Sequence, residues 1–570
     1  MIRLMTLYPG SANAAIECGM SIYSLENLPA YETLSYTWGK GPSHQIVCDG
    51  QSISVQENLQ SALRQLRYPS SVRLLWIDAL CINQQNIQER NSQVLHMRAI
   101  YQKARKVVVW LGESSMTSSM GFSLLRDIVL AASSETGSNL QKLMKSEELT
   151  LKGLPERSSA RWRALGAIFW REWFTRIWII QEVSVAQSVV VVCGTDECSW
   201  SDMSTAAKYI LDHSLDAVTD VDPKLVMKLS SFCSRDDSEC HLLRLLSEVR
   251  NSYATDDRDK VYAILGLASD INSLSLFPDY SKDAPELYIR MVRSWIQRDG
   301  NLDILSAVED HRYRIRQGLP CWVPDWEVHV SSSPFSAHPD FALMGAAGDS
   351  KATCIFGHDG KTLVARGQNI DSLNHVGITF EEYIPISGSI SQGNRIDDAM
   401  ARIRPRQWER MAHNLKTYPT GEDIESVFIQ TLIGRVELEP YMSLDELHLC
   451  YKAWRRYWAV VHRKHGKFIE FAHMELSTED LARATYIMKA QQQAAYGRRF
   501  VTTEYGYMGL CPSLARIGDK IVILLGGKTP FILRKTGKKG YRFIGECYIH
   551  GIMTGKGLSE STNMQDFKIW

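Results

Sequence analysis

The stretch RIWIIQEV (176–183) places a glutamate, Glu182, among apolar and aromatic residues. An ionised carboxylate is costly there unless a partner or a cleft compensates. Trp178 lies four positions before Glu182, so on a helix the two share a face, with Arg176 close by and Gln181 adjacent. A carboxylate beside an aromatic in a cleft tends towards a raised pKa. It can act as a general base or stabilise developing positive charge. The structural alternative is an ion pair with Arg176 or Arg90 that holds the helix.

Other polar residues gather where strands are expected to end. TLSYTW (33–38) alternates, is rich in aromatic and β-branched residues, and breaks at Gly39. LLWI (74–77) is a short apolar run that stops at Asp78, as in a strand buried on both faces. VVVWLG (107–112) and SVVVVCG (188–194) read the same way. Between them, VQENLQSALRQLR (55–67) puts Leu59, Ala62, Leu63 and Leu66 on one helical face. Asn86 and Glu89 have capping-box spacing before a helix with Val94, Met97, Tyr101 and Ala104 on one stripe. Strands alternating with helices predict a doubly wound α/β domain with a parallel sheet over residues 1–200.

In such sheets ligands sit at the carboxyl ends of the strands. The first end offers Tyr36, Trp38 and Gly39; the second offers Asp78, Cys81, Asn83 and Gln84, with Glu89 and Arg90 following; the third offers Gly112 and Glu113. Each has a plainer reading. Asp78 can cap the loop that follows it, and Glu89 and Arg90 can cap and decorate a helix.

The elements that position these residues belong to a long, ordinary globular chain. Its 570 residues are 45% apolar and 22% charged, which suggests two to four domains. Lys+Arg and Asp+Glu both total 64, a balance that argues against a bulk electrostatic role on nucleic acid or anionic membrane. No apolar run approaches the length of a membrane span or a signal-peptide core. Twelve scattered cysteines without a CxxC pair read as reduced thiols in a cytoplasmic protein. A helical insertion is expected at about 113–165, and a mostly helical region over 201–330. A C-terminal α+β region is expected over 331–570, with strands at 500–550. LPCWVPDW (319–326) opens an irregular segment.

Several familiar signatures fail. GGKT (526–529) is no phosphate loop, because Val522 stands where glycine is required; a hairpin turn is the better reading. His462 and His465 have helical spacing but no companion ligands, so no metal site is expected. Lys538 and Lys539 fall in an exposed basic hairpin tip, TGKKG.

Four segments, YETLSYTWG (31–39), LLWIDALCINQQNIQER (74–90), MRAIYQKARKVVVWLGE (97–113) and WFTRIWIIQEVSVAQSVVVVCG (173–194), resemble the fungal heterokaryon-incompatibility (HET) domain. DDRDKVYAILGLA (256–268), LPCWVPDW and the GDKIVILLGGKTPFILR…YIHGIM region resemble segments that accompany it. The resemblance implies a role in fungal non-self recognition and regulated cell-death signalling, with other proteins of such a pathway as partners. HET domains are distantly similar to TIR domains, which implies a TIR-like (flavodoxin-like) fold. By motif order Glu182 then takes the position of the TIR glutamate that serves NAD cleavage, and NAD is the implied substrate. Trp38 or Trp178 would face a ring, while Asp78, Asn83, Gln84 and Arg90 would orient the ligand or the loop. The alternative implication is a non-catalytic module that works by homotypic assembly.

Overall fold

The computed structural model describes the chain apart from residues 12–13, 40, 135–145, 214, 218, 220, 237–239, 272–273, 275, 310–313, 315–317, 330–333, 336–343, 381–405, 436–441, 464–475, 538–539 and 559–562. The expected basic tip at Lys538 and Lys539, and His465, lie outside the described residues. Two compact units form, residues 1–245 with 252–272 and 276–283, and residues 246–251 with 273–275 and 284–570.

The first unit is built on nine strands: β1 (Ile2–Leu7), β2 (Glu17–Tyr23), β3 (Glu32–Tyr36), β4 (Ser43–Cys48), β5 (Gln51–Gln56), β6 (Arg73–Trp76), β7 (Lys106–Trp110), β8 (Val189–Cys193) and β9 (Asp196–Ser199). Their order is β5-β4-β2-β1-β6-β3-β7-β8-β9. The four strands read from the sequence, β3, β6, β7 and β8, form a parallel core with β3 between β6 and β7. In their own sequence order they stand second-first-third-fourth, the order of flavodoxin-like sheets. The sheet as a whole is mixed, however, which corrects the expectation of a parallel one. β1 runs antiparallel to both β6 and β2, and β4–β5 and β8–β9 are antiparallel pairs. β1–β2, β4–β5 and β8–β9 are hairpins, and β4 joins β2 as a parallel neighbour. In the turn from β4 to β5, Asp49 and Gly50 take φ of 50° and 76°, as a two-residue hairpin requires.

Helices pack as their apolar stripes dictate. Glu57–Leu66 buries Leu59, Ala62, Leu63 and Leu66. Ile87–Lys103 is capped by the Asn86 side chain, which accepts from the Glu89 N–H. Among the described residues no helix is long and apolar enough to cross a membrane.

The second unit carries β10 (Cys354–Phe356), β11 (Leu363–Thr379), β12 (Arg498–Thr503), β13 (Met508–Pro512), β14 (Lys520–Leu524), β15 (Phe531–Lys535), β16 (Tyr541–Glu546), β17 (Tyr548–Ile549) and β18 (Met564–Ile569). The 17-residue β11 pairs with β18 and β14 through its first part, so β11, β14, β15, β16 and β18 close into a small barrel. Its far part pairs with β12, and β13 and β17 continue the sheet. Helices bearing Trp408, Phe428 and Trp454 pack with Phe500 of β12 in an aromatic core. The GGKT segment is the β14–β15 turn, with the Gly527 N–H on the Leu524 carbonyl at 3.0 Å.

All five residues of β3 are buried, so its polar residues need internal partners. Glu32 receives Arg73 Nε (2.9 Å) and NH2 (2.5 Å) and also pairs with Arg105. Burial raises its carboxyl, but the hydrogen bonds from Arg105 and Arg73 outweigh that and hold it below the ordinary range. Glu32→Gln leaves buried Arg73 without its counter-charge and is expected to cost about 3 kcal/mol, read by denaturant unfolding of the full chain.

Candidate functional site

Glu182 lies on the short helix Trp178–Ser184 and is 1% exposed. The helix presses it against the middle of β3, where the Ser35 hydroxyl donates to Glu182 Oε2. Ser35 Oγ in turn accepts from Trp173 Nε1 at 2.7 Å. The result is a buried relay of indole, hydroxyl and carboxylate. Burial raises the Glu182 carboxyl from 4.5 to about 7; the Arg176 charge and the Ser35 hydroxyl act against this, and Asp78 adds to it. Arg176 makes no ion pair with Glu182, since its guanidinium donates to the Tyr36 carbonyl at 2.6 Å. Arg90 is committed elsewhere, to Asp256 at 3.2 Å. Glu182 is thus enclosed yet, among the described residues, has no cationic partner at contact distance.

Asp78 opens a single helical turn at the end of β6 and is half-buried. Its Oδ2 accepts from Trp38 Nε1 at 2.9 Å and its Oδ1 from the Ala79 N–H at 2.7 Å. Burial raises its carboxyl, with Arg176 opposing. Gln84 donates to the Asp78 carbonyl at 3.2 Å, which fixes the loop. Trp38 is 41% exposed, and Gly39 beyond it holds φ at 73°. Tyr36, Trp38, Asp78, Gln84, Arg176 and Glu182 therefore gather around the carboxyl ends of β3 and β6.

Asn83 and Glu89 lie to one side of this group. The Asn83 N–H donates to Glu89 Oε1 at 2.8 Å, and Glu89 pairs with Arg3. Cys81 is sealed beneath them; its sulfur accepts from the Ile77 N–H at 3.4 Å and burial pushes its thiol up to about 12. Asn58, which sequence reading passed over, bridges the crevice where the strand order reverses. It donates to the Thr37 carbonyl (2.6 Å) and accepts from Trp110 Nε1 (2.9 Å). Ser35 and Trp173 were also passed over: nothing in their local pattern sets them apart from strand and core residues.

Trp178, Gln181 and Arg90 face the segment DDRDKVYAILGLA. Trp178 Nε1 donates to Asp259 Oδ2 at 3.0 Å and the Tyr280 hydroxyl to Oδ1 at 2.5 Å. Burial lifts Asp259 to about 6 against these hydrogen bonds. The Arg90 guanidinium lies 3.5 Å from the Tyr280 ring centre, a cation–π stack. Gln181, its amide oriented so that both ends are matched, donates to the Ala263 carbonyl (3.2 Å) and accepts from the Arg98 N–H (3.1 Å). The backbone joins in, with Tyr253 N–H on the Thr175 carbonyl (2.6 Å) and Ile177 N–H on the Tyr253 carbonyl (2.9 Å). This segment, with Tyr253, clasps the RIWIIQE turn.

Chemically, a carboxyl near pH 7 with one hydroxyl donor can hold or release a proton at neutral pH. Its folded value exceeds its unfolded one, so its contribution to stability is full below about pH 4.5 and is lost as pH rises through about 7. That loss is about 3 kcal/mol by linkage. Glu182→Gln is expected to flatten the fall in melting temperature between those pH values and to be more stable than wild type at pH 8. A Cβ at Gly266 would lie 2.2 Å from the end of the Gln181 amide. Gly266→Ala should therefore push Gln181 out of the clasp and cost about 1–3 kcal/mol, read by thermal melting.

Comparison with known proteins agrees with this layout. Residues 31–182 match the heterokaryon incompatibility protein (HET) family, a match that ends on Glu182. Residues 394–569 match the Het-6 β-barrel domain, although β11, which closes the barrel, precedes the matched residues. A curated relative, heterokaryon incompatibility protein 6, OR allele, of Neurospora crassa, is 25% identical over 670 aligned positions, spanning 99% of this chain and 95% of the relative. No solved structure matches the chain significantly. With a HET segment, a Het-6 barrel segment and an almost end-to-end relative in the same order, the chain is similar to the heterokaryon incompatibility proteins along nearly its whole length.

Proposed function

We propose that this protein acts in fungal non-self recognition and that its N-terminal unit is a signalling module working through protein contacts rather than turnover of a substrate. The observation that carries this reading is the enclosure of Glu182. At 1% exposure, pressed on Ser35 and backed by the 253–266 clasp, it offers a ligand no direct approach. Placed so, it fastens the Trp178–Ser184 helix to β3. Its partners would be other proteins of an incompatibility or cell-death pathway, as the name of the Neurospora relative suggests.

NAD cleavage is the second reading, and one observation favours it. Among the described residues Glu182 has no ion pair, and burial raises its carboxyl to about 7, while half-buried Asp78 and exposed Trp38 line the adjoining strand ends. The second-first-third-fourth order of the parallel core is compatible with a TIR-like arrangement. On this reading a movement of the clasp would have to bring Glu182 to the ribose, where its charge would stabilise the cation left as the glycosidic bond breaks.

The full-length chain, carried by one partner of an incompatible fungal fusion, separates the two. Expected are death of fusion cells with cellular NAD unchanged and the same death with Glu182→Gln. Loss of NAD with the wild type and not with the variant would replace the module by an enzyme.

A further inference from the structure

The two edges of the nine-stranded sheet are protected unequally. β9 has four residues and carries Asp196 and Glu197, charges that discourage another strand from adding. β5 has six, Gln51-Ser-Ile-Ser-Val-Gln56, with no charge and no proline. Its pairing with β4 runs without a register shift from Ser43–Gln56 to Cys48–Gln51. Among the described residues none of the devices that usually blunt an edge is present.

The direction of its free backbone groups follows from the neighbours. Val47 N–H donates to the Ile16 carbonyl at 2.9 Å and Asp49 N–H to the Cys18 carbonyl at 3.0 Å, so these residues of β4 and its turn face β2. By the alternation of an antiparallel ladder, His44, Ile46 and Cys48 face β5, where they pair with Val55, Ile53 and Gln51. Ser52, Ser54 and Gln56 therefore turn their peptide groups outward. The Gln56 carbonyl serves the helix that starts at Glu57, which leaves its N–H.

We propose that β5 is a docking edge for β5 of a second copy of this chain, paired antiparallel about a two-fold axis at Ser54. In that register Ser54 exchanges two backbone hydrogen bonds with its counterpart, and each Gln56 N–H meets the other copy's Ser52 carbonyl. Half-buried Ile53 lies across from buried Val55 of the second copy, twice by symmetry, at the close-approach positions of the ladder. Every remaining opposition is serine or glutamine, so no like charges meet. The strand is complementary to itself in hydrogen bonding, apolar contact and charge, which is what an isologous interface demands. A short strand pair buries less than the ~1,200 Å² of a stable complex, so the association is weak and favoured by high local concentration. The inference deepens the signalling-module reading and rests on it only for its biological use, because assembly is read without reference to cell death.

The test uses the purified full chain. Sedimentation velocity over a concentration series should show a reversible dimer, and Ser54→Lys should weaken it about tenfold or more while circular dichroism is unchanged. Under mild oxidation Ser54→Cys should give a covalent dimer beyond the wild-type background. Ser52→Cys, which meets Gln56 rather than itself, should not. A monomer at all concentrations with no Ser54→Cys cross-link overturns the proposal. So do equal cross-linking at positions 52 and 54 and a dimer that survives Ser54→Lys. Should Ser54→Lys disturb folding, the cysteine pair decides alone. Dimerisation without cell death would sink the signalling reading and leave the interface standing.

Discussion

The first unit depends on the full burial of β3, a strand whose sequence is only partly apolar. ETLSY has neighbours on both edges and cover on both faces, so each polar side chain on it needs an internal partner or is left without one. Glu32 takes two arginines. Ser35 takes an indole donor and a carboxylate acceptor. Thr33 Oγ1 finds none among the described residues. The two carboxylates meet opposite environments and respond oppositely. Glu32, with cations at contact, stays below the ordinary carboxylate range, whereas Glu182, with one hydroxyl, rises to about 7.

The second carboxylate sets how the neighbouring elements are held. The helix that carries Glu182 is seven residues long, too short to stand by itself, and it is gripped by two neighbouring segments. Ser35, itself held by Trp173, grips it from the sheet, and Asp259, Ala263 and the Tyr253 backbone hold it from the clasp. Asp259 is itself a buried carboxyl raised to about 6, so both grips contain a group that ionises near neutrality. Both raised carboxyls act in the same direction, each contribution being lost as pH rises through its folded value, opposite in sign to that of Glu32.

The second unit solves a different problem. Its barrel closes because one long strand, β11, pairs on both sides through its first part and then bends on to lead a second sheet. Closure removes edges there. The first unit keeps its edges open, and the contrast between charged β9 and uncharged β5 gives its exposed backbone groups significance.

The sequence by itself determined the elements with strong period or strong chemistry. The four parallel strands, the Glu57–Leu66 helix with its buried face and the Asn86 cap follow from alternation, spacing and capping, which are local. It also carried the segments whose family resemblance the comparisons support. Several features escaped local reading: the strands at 2–7, 17–23, 43–48 and 51–56, the mixed sheet they produce, and the 17-residue β11, which lay in and beyond a stretch that looked irregular. Strand pairing there is fixed by partners distant in sequence. The surroundings of Glu182 were decided by tertiary structure alone. Spacing could place it near Arg176 and Trp178, but Ser35 lies 147 positions away and Trp178 turns instead to Asp259, 81 positions on. A carboxylate's pKa is set by burial and by what reaches it, and neither is written within a turn of helix.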